Sequence, residues 1–258
     1  MIHLTLIGIG TGNPDHVTGQ AVRAMNAADL ILIPLKGDDK ADLAGLRMQI
    51  CRANLTNPAT RIAPFDLPTR DPATPDYLNR VNDWHDAIAA LWQAEIETHL
   101  AQGGGPNVAL LVWGDPSLYD STLRIADRVA RHLPLTLTVI PGITAIQALC
   151  AAHAIPLNDL AKPVVITTGR QLRAAGWPPA ADTVVVMLDS GAAFDALAPD
   201  GIHIWWGAYV GMTEQILIQG PLSEVMETIR TTRAKARADH GWIMDIYLMR
   251  RTATQPSA

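Results

Sequence analysis

The sequence predicts an α/β protein with a mostly parallel sheet in its first half and a mixed sheet in its second half. In the first half, apolar runs of strand length alternate with segments of helical spacing, a pattern typical of parallel βα units. In the second half, strand-like runs outnumber helical segments, which favours a mixed sheet. We therefore expect two α/β domains, an N-terminal one over 1–140 and a C-terminal one over 141–258.

In the first half, apolar runs that end at turns predict strands over Ile2–Ile9, Leu30–Pro34, Val108–Trp113 and Leu135–Ile140. Helical spacing predicts helices over Thr18–Ala28 and Ser121–His132, and a long one whose apolar positions run from Tyr77 to Ile96 and which Gly103–Gly105 ends. Thr18 is expected to cap the first of these helices, because its hydroxyl can accept from a backbone N–H of the first turn. Segment 36–76 is polar and contains five prolines, so we expect it to lie outside the core, with a short helical pattern over Leu43–Ile50.

In the second half, the same criteria predict strands over Pro163–Thr168, Thr183–Leu188, Ile202–Trp206, Gln215–Ile218 and Trp242–Leu248. Helices are predicted over Thr144–His153 and Leu222–Ala234. We find no internal repeat that would relate the two halves.

Composition and charge narrow the class of partner. The chain has 258 residues and a net charge of −5, without a block of like charges, so a nucleic-acid track or a basic membrane face is not expected. No apolar run approaches the ~18 residues that span a bilayer, and the first residues do not resemble a secretory leader, so we expect a cytoplasmic protein. The two cysteines, Cys51 and Cys150, lie far apart, and neither a disulfide framework nor a metal site is predicted.

Three turns of small residues follow predicted strands and precede helices. They are Gly8–Asp15, Gly114–Tyr119 and Pro141–Ala145. At the carboxyl edge of a parallel sheet, glycine allows a close approach of backbone to ligand, Asp115 can accept a hydrogen bond, and Pro116 stiffens its loop. The turns therefore predict a site for a small ligand.

A dinucleotide or ATP site fits these turns poorly. The dinucleotide pattern Gly-x-Gly-x-x-Gly would need glycine where the sequence has Asn13. The second strand leads into Pro34-Leu35-Lys36, without the acid that would bind a ribose, and no Gly-Lys-Ser or Gly-Lys-Thr offers a phosphate cradle.

The order of the three turns resembles the tetrapyrrole methylases, which use S-adenosylmethionine. The turns read Gly-x-Gly-x-Gly, Gly-Asp-Pro-x-x-Tyr and Pro-Gly-Ile-Thr-Ala. Longer similar stretches are Trp113–Arg124, Val139–Ala148, Thr167–Arg170, Val185–Asp189, Trp206–Gly211 and Gly241–Arg250, and the resemblance runs from about Leu4 to Arg251. Thr11 stands where the family usually has proline, which leaves the path of the first turn open.

The resemblance implies a two-domain fold with a ligand cleft between the domains and S-adenosylmethionine as the cofactor. The residues that it assigns to cofactor binding are Gly114, Asp115, Leu118, Tyr119, Thr144, Ala145, Met187, Leu188, Tyr209 and Val210. Packing in the core is the alternative for Met187 and Leu188, and an N-cap role is compatible with binding for Thr144.

The longer stretches resemble the branch of the family that methylates C1 of precorrin-5 in cobalamin biosynthesis and releases acetate. Gly10, Gly12 and Arg170 are assigned to this polyanionic substrate, and further cationic candidates are Lys36, Arg70 and Arg124. Acetate release requires attack by water, for which Asp245 and Glu214 are candidate bases. The resemblance also implies a homodimer. Two alternatives stay open: methylation at another ring carbon, and a non-catalytic protein that binds a nucleotide or a tetrapyrrole.

Overall fold

The computed structural model describes residues 1–35, 41–69 and 77–251, so Lys36 and Arg70 lie outside the described residues. The chain divides into two units, of which the first is Met1–Thr144 and the second begins at Ala145. Each unit contains one five-stranded sheet.

The sheet of the first unit is parallel throughout. Its strands are β1 (Ile2–Gly8), β2 (Leu30–Leu35), β3 (Arg61–Asp66), β4 (Asn107–Val112) and β5 (Leu135–Ile140). They are arranged in the order β3-β2-β4-β1-β5, and every neighbouring pair runs in the same direction. The carboxyl ends of β4, β1 and β5 therefore lie side by side, and this brings the three glycine turns to one edge.

Helices cover both faces of this sheet. They are α1 (Gly19–Ala27), α2 (Ala41–Asn54), α3 (Tyr77–Ala101) and α4 (Thr122–Val129). Alternate strand residues enter two separate clusters, one with Trp92 of α3 and Ile125 of α4, the other with Met25 of α1 and Ile50 of α2. Because both faces of the three inner-lying strands β2, β4 and β1 are buried, these strands are apolar almost continuously, whereas most of the edge strand β5 is exposed. The N-cap prediction is confirmed, since Thr18 Oγ1 accepts from Ala21 N at 3.1 Å.

The prediction that segment 36–76 lies outside the core is wrong for its middle part. Arg61–Asp66 forms β3, which pairs in parallel with β2, and Ala63 and Phe65 are buried in the core. Pro64 obscured this strand in the sequence, but an edge strand tolerates proline because one side of it needs no backbone donor. Residues 36–40 and 70–76 of the segment lie outside the described residues.

The sheet of the second unit is mixed, as predicted. Its strands are β6 (Val164–Thr168), β7 (Thr183–Met187), β8 (Ile202–Ala208), β9 (Ile216–Pro221) and β10 (Asp245–Arg251). The order is β6-β7-β10-β8-β9, in which only the β6–β7 pair is parallel. The helices are α5 (Ala145–His153), α6 (Gly169–Ala175) and α7 (Leu222–His240).

The second unit differs from expectation in three places. Helix α6 was not predicted, because it spans only seven residues and its apolar spacing is too short to recognise. Helix α7 extends six residues further than expected and ends where Gly241 adopts φ 74°. Strand β10 begins at Asp245, and Trp242 and Ile243 pack against the core from the preceding loop.

Two further observations concern membrane-spanning helices and metal-binding clusters. No helix in the described part of the chain is long and apolar enough to cross a membrane. Within residues 1–35, 41–69 and 77–251, no cluster of three or more His, Cys, Asp or Glu side chains could hold a metal ion.

Candidate functional site

The turns after β1 and β4 are bonded to each other at the sheet edge. Gly10 N donates to Gly114 O at 3.3 Å, and Gly114 N donates to Gly10 O at 2.8 Å. Both glycines have positive φ, +76° at Gly10 and +64° at Gly114, a conformation that residues with a side chain rarely adopt. The turn backbones are thus held as a pair by an isolated antiparallel bridge beyond the carboxyl ends of β1 and β4.

The turn after β5 packs against the same pair through Gly142. A Cβ on Gly142 would lie 2.1 Å from Gly114 O, and a Cβ on Gly8 would lie 2.5 Å from Gly142 N. Three backbone segments therefore meet at a distance that no side chain allows. This close approach explains the glycines at Gly8 and Gly142, and the positive φ explains the glycine at Gly114.

Asp115 ties the β4 turn to the β5 turn. Its Oδ2 accepts from Gly142 N at 2.8 Å, and its Oδ1 accepts from Ser117 N at 2.8 Å and from the Ser117 hydroxyl. Partial burial opposes ionisation, but these hydrogen bonds outweigh it and hold the pKa of Asp115 below its ordinary value. The carboxylate therefore organises the loops whether or not it also contacts a ligand.

Three of the residues assigned to the cofactor have strained backbones. Tyr119, Leu188 and Tyr209 have φ values of 49°, 52° and 51°, and each lies beyond the carboxyl end of a strand. Among the described residues, only six non-glycine residues have positive φ, so half of that set coincides with the predicted site. Such conformations cost about 1–3 kcal/mol and cluster at ligand sites.

The remaining first-unit candidates lie along the same edge. Gly12 is buried with φ 105°, and Leu118 is half-buried, with its N–H donating to Asp115 O at 3.2 Å. The Thr144 Cα lies 3.9 Å from the position that a Cβ on Gly114 would take. Thr11, in place of the family's proline, is buried, and its hydroxyl lies 3.5 Å from His16 Nδ1.

The second unit presents its candidates at strand ends and at a helix start. Ala145 is the first residue of α5, Met187 is the last residue of β7, and Leu188 is 66% exposed. Exposure of a large apolar side chain at a strained position favours ligand contact over the core packing that was its alternative.

Tyr209 and Val210 are buried beyond β8. The Tyr209 hydroxyl donates to Trp242 O at 2.5 Å, and its ring packs edge-on against the Trp242 ring at 5.0 Å. Burial raises the pKa of Tyr209 to about 12, with the charges of Asp245 and Glu214 adding to the effect. Since its side chain serves the core, the Tyr209 backbone is the part that a ligand could contact.

Asp189, directly after Leu188, is a residue whose role the sequence did not reveal. Its Oδ2 accepts from Ala193 N at 2.6 Å and from the Tyr247 hydroxyl at 2.8 Å, and Arg173 pairs with its Oδ1. A Cβ on Gly169 would lie 2.3 Å from Asp189 Oδ1. The buried aspartate thereby fixes the backbone that carries Leu188.

The two candidate bases lie in contrasting surroundings. Asp245 is buried, and its Oδ2 accepts from Arg233 Nε at 2.8 Å and from Trp206 Nε1 at 3.0 Å. Burial raises the pKa of Asp245, while the hydrogen bonds from Arg233 and Trp206 oppose the rise. Glu214 is exposed in the turn before β9. The Asp245 geometry is that of a structural ion pair.

Two cationic candidates lie within the described residues. Arg170 is exposed in the first turn of α6, directly after β6. Arg124 is exposed on α4, and its Nη1 donates to Asp120 O at 2.9 Å. Both are accessible to an anionic ligand.

Comparisons with known proteins agree with the geometry. The family model for tetrapyrrole (corrin/porphyrin) methylases matches residues 3–226. Precorrin-6A synthase [deacetylating] of Sinorhizobium sp. is 47% identical over 255 residues, which cover 98% of this chain and 97% of that protein. Precorrin-2 C(20)-methyltransferase of Sinorhizobium sp. is 32% identical over 59% of each chain.

Solved structures resemble the chain over almost its whole length. The crystal structure of a cobalamin synthesis related protein (CobF) from Corynebacterium diphtheriae has a TM-score of 0.82 and 37% identity, and covers 97% of this chain and 99% of that one. Uroporphyrin-III C-methyl transferase from Thermus thermophilus, complexed with S-adenyl homocysteine, has a TM-score of 0.59 at 15% identity, covering 96% and 91%, and shows the fold alone. This chain belongs to the tetrapyrrole (corrin/porphyrin) methylases.

Proposed function

We propose that the chain is an S-adenosylmethionine-dependent C-methyltransferase that methylates precorrin-5 at C1, releases acetate and forms precorrin-6A in cobalamin biosynthesis. The observation that carries the proposal is the 47% identity over 98% of the chain with a deacetylating precorrin-6A synthase. Identity at this level extends through both units, whereas the C(20)-methyltransferase matches only 59% of the chain.

We propose that the turns at the strand ends bind the cofactor. S-adenosylmethionine carries a sulfonium, an ammonium and a carboxylate, so its site needs backbone donors and acceptors with few bulky side chains. The turns offer such backbone, and the strained Tyr119 and Leu188 support ligand contact there. The full proposed set is Gly114, Asp115, Leu118, Tyr119, Thr144, Ala145, Met187, Leu188, Tyr209 and Val210.

Methyl transfer asks little of ionisable side chains. S-adenosylmethionine would supply a methyl carbon activated by its sulfonium. In an in-line displacement, C1 of the macrocycle would donate the electron pair, the methyl–sulfur bond would break and S-adenosylhomocysteine would leave. The protein contributes alignment and the exclusion of water. Rigid backbone turns suit this task, because Gly8, Gly114 and Gly142 pack without any side chain that could change rotamer.

The release of acetate is hydrolytic and needs a proton acceptor for water. Water attacks the acetyl carbonyl and passes a proton to the base, the bond between that carbonyl carbon and the macrocycle breaks with its electron pair left on the macrocycle, and acetate leaves. Glu214 is the exposed candidate, while Asp245 is held by Arg233 and Trp206. We therefore prefer Glu214 as the base.

Recognition of the substrate carboxylates is proposed for Arg170, with Gly10 and Gly12 contributing backbone. A guanidinium can hold a carboxylate through two parallel hydrogen bonds, and lysine cannot reproduce this geometry. Arg170→Lys should raise the KM for precorrin-5 and Arg170→Ala should raise it further, with cofactor affinity unchanged. Arg131→Lys, at another exposed arginine, is the control. Unaltered saturation behaviour in both Arg170 variants would transfer the role to Lys36, Arg70 or Arg124.

The decisive test of the function is the mass of the product. Precorrin-5 incubated with the chain and S-adenosylmethionine should gain one methyl group and lose its acetyl group, with free acetate in solution. A methylated product that retains the acetyl group would identify a methylase acting at another ring carbon. Unchanged precorrin-5 that still binds the chain would identify a non-catalytic binding protein.

Assembly and location are part of the proposal. We propose a homodimer in the cytoplasm, in keeping with the family resemblance. Sedimentation of the purified chain tests the first point, and fractionation of the producing cells tests the second.

A further inference from the structure

A cavity of about 250 Å³ lies in the first unit, against α3, α4 and the carboxyl end of β4. Most of its wall is apolar, with Phe65, Ile88 and Val112 among the lining residues. The volume is smaller than the pockets of roughly 300–1,000 Å³ that hold drug-sized ligands, so a small molecule or a side arm of a larger one fits it.

Trp92 gives this cavity an unsatisfied donor. It lines the cavity and is only 1% exposed, and its Nε1 has no hydrogen-bond acceptor among the described residues. Trp84 lines the same cavity, but its Nε1 donates to Pro68 O at 2.7 Å. A buried N–H without an acceptor is unfavourable, and a bound acceptor would remove the penalty.

Arg47 gives the cavity a positive charge. Its Nε donates to Leu111 O at 3.1 Å, which fixes the guanidinium at the wall. Burial lowers the pKa of Arg47, and the nearby charge of Asp120 opposes that shift. Asp120, the acidic group of the lining, is occupied by Thr122, whose N–H and hydroxyl both donate to Oδ1.

A cation, an unsatisfied N–H and apolar walls define the chemistry of a ligand. A cationic ligand would be repelled by Arg47, and a hydrocarbon would leave the Trp92 N–H unmet. A carboxylate with a short hydrocarbon stem would accept from the Trp92 N–H, be attracted by the charge of Arg47 and fill the apolar part. The segment Asp120–Thr122 at the wall directly follows the turn Gly114–Tyr119, so the cavity adjoins the proposed cofactor loop along the chain.

We propose that this cavity is a binding site for a short carboxylate, with Arg47 and Trp92 Nε1 as its donors. Only the source of the carboxylate rests on the proposed function, which supplies two candidates: the acetate released by deacetylation and a carboxylate arm of the precorrin. An arm continues into the macrocycle, so its site must accept a longer stem than that of free acetate.

The test is a titration of the purified chain with acetate, propionate and butyrate at constant ionic strength, without cofactor or precorrin. The Trp92 indole N–H resonance, assigned by its loss in Trp92→Phe, should shift on addition of carboxylate. Arg47→Met should raise the dissociation constant by about tenfold, and Arg47→Lys by less, because lysine keeps the charge. Arg131→Met, at an exposed arginine, should leave the constant unchanged. In Trp92→Phe, the Trp84 resonance should report about tenfold weaker binding.

The outcomes distinguish the two sources of the carboxylate and also test the proposal itself. Binding of acetate with rejection of butyrate points to the released product, and binding of butyrate as well points to a substrate arm. Absence of any shift at Trp92, or the same affinity in Arg47→Met, Trp92→Phe and Arg131→Met, would overturn the proposal. Because neither cofactor nor precorrin is present, a failure of methyl transfer has no influence on this result.

Discussion

Each unit places an aspartate just beyond the end of a strand, but the two carboxylates have different surroundings. Asp115 follows β4, is half-buried, and accepts from the Gly142 backbone and from Ser117. Asp189 follows β7, is buried, and accepts from Ala193 N, the Tyr247 hydroxyl and Arg173. Both stabilise a loop that contains a non-glycine residue with positive φ, Tyr119 in one case and Leu188 in the other.

The difference shows two ways of stabilising a loop with a strained backbone at the end of a strand. In the first unit, backbone packing among three glycines bears much of the constraint, and the aspartate adds local hydrogen bonds near solvent. In the second unit, a buried charge with several partners bears the constraint. We therefore expect substitution of Asp189 to destabilise the whole second unit, and substitution of Asp115 to disturb its loop while the first unit stays folded.

The largest expected effect is that of Asp189→Ala. Removing the buried carboxylate leaves Ala193 N and the Tyr247 hydroxyl without their acceptor, whereas Arg173, whose side chain is 37% exposed, still donates to Gly191 O. The free energy of unfolding should fall by about 2–6 kcal/mol, because each buried donor left without an acceptor costs about 1–3 kcal/mol. Denaturant unfolding followed in the second unit measures this. Asp195→Ala, which removes an exposed partner of Arg230, should cost at most about 1 kcal/mol. Equal losses of unfolding free energy in Asp189→Ala and Asp195→Ala would show that the buried Asp189 does not stabilise the second unit as described.

The next effect is that of Gly142→Ala. The new Cβ would lie 2.1 Å from Gly114 O, which is backbone and cannot move aside, so we expect a loss of about 1–3 kcal/mol in stability. Gly45→Ala is the matched control, since a Cβ there has no neighbour within 4 Å and alanine favours the helix. Equal stability of the two variants would show that the turns do not meet as described.

Asp115→Ala should affect ligand binding more than stability, in contrast to Asp189→Ala. Stability should fall by only about 1 kcal/mol, because the carboxylate is half-exposed. Affinity for S-adenosylhomocysteine should fall by about 1–3 kcal/mol, because the Gly142 N–H loses its acceptor and the loop loosens. Calorimetric titration measures the affinity. Unchanged binding would move the cofactor site away from this turn.

The smallest effect is the pH dependence of the second unit. Burial lowers the pKa of His153 and of His203, and the charge of Arg250 adds to the shift at His203. Below the ordinary pKa of about 6.5 the unfolded chain binds protons that the folded chain does not, so stability should fall as pH decreases from 7.5 to 5.5.

Both histidines are partly exposed, so solvent screening keeps their contribution small. The double variant His153→Gln, His203→Gln should flatten the slope of unfolding free energy against pH. His132→Gln, at an exposed histidine of the first unit, should leave the slope as it is. An unaltered slope in the double variant would assign the pH dependence to other groups.

Much of the first sheet could be predicted from sequence, because β1 and β4 are continuous apolar runs that end in glycine turns. Strand β3 was missed because Pro64 lies in its middle, and α6 because seven residues give too little periodicity. The family followed from the turns and the longer stretches, and the comparisons confirm it.

The details of the site depended on contacts that are distant in sequence. Asp189 and Tyr247 are 58 residues apart, and nothing local to either residue indicates their hydrogen bond. Arg47 reaches Leu111 across 64 residues, so no motif marks the cavity. The sequence placed Asp115 in a turn but could not show that its carboxylate binds the Gly142 backbone.

The central claim is that the glycine turns of the first unit bind the methyl donor, and calorimetric titration with S-adenosylhomocysteine tests it most directly. The account predicts one site per chain in the wild type, weaker binding in Gly142→Ala, and wild-type affinity in Gly45→Ala. No binding to the folded wild-type chain, or equal affinity in all three proteins, would contradict it.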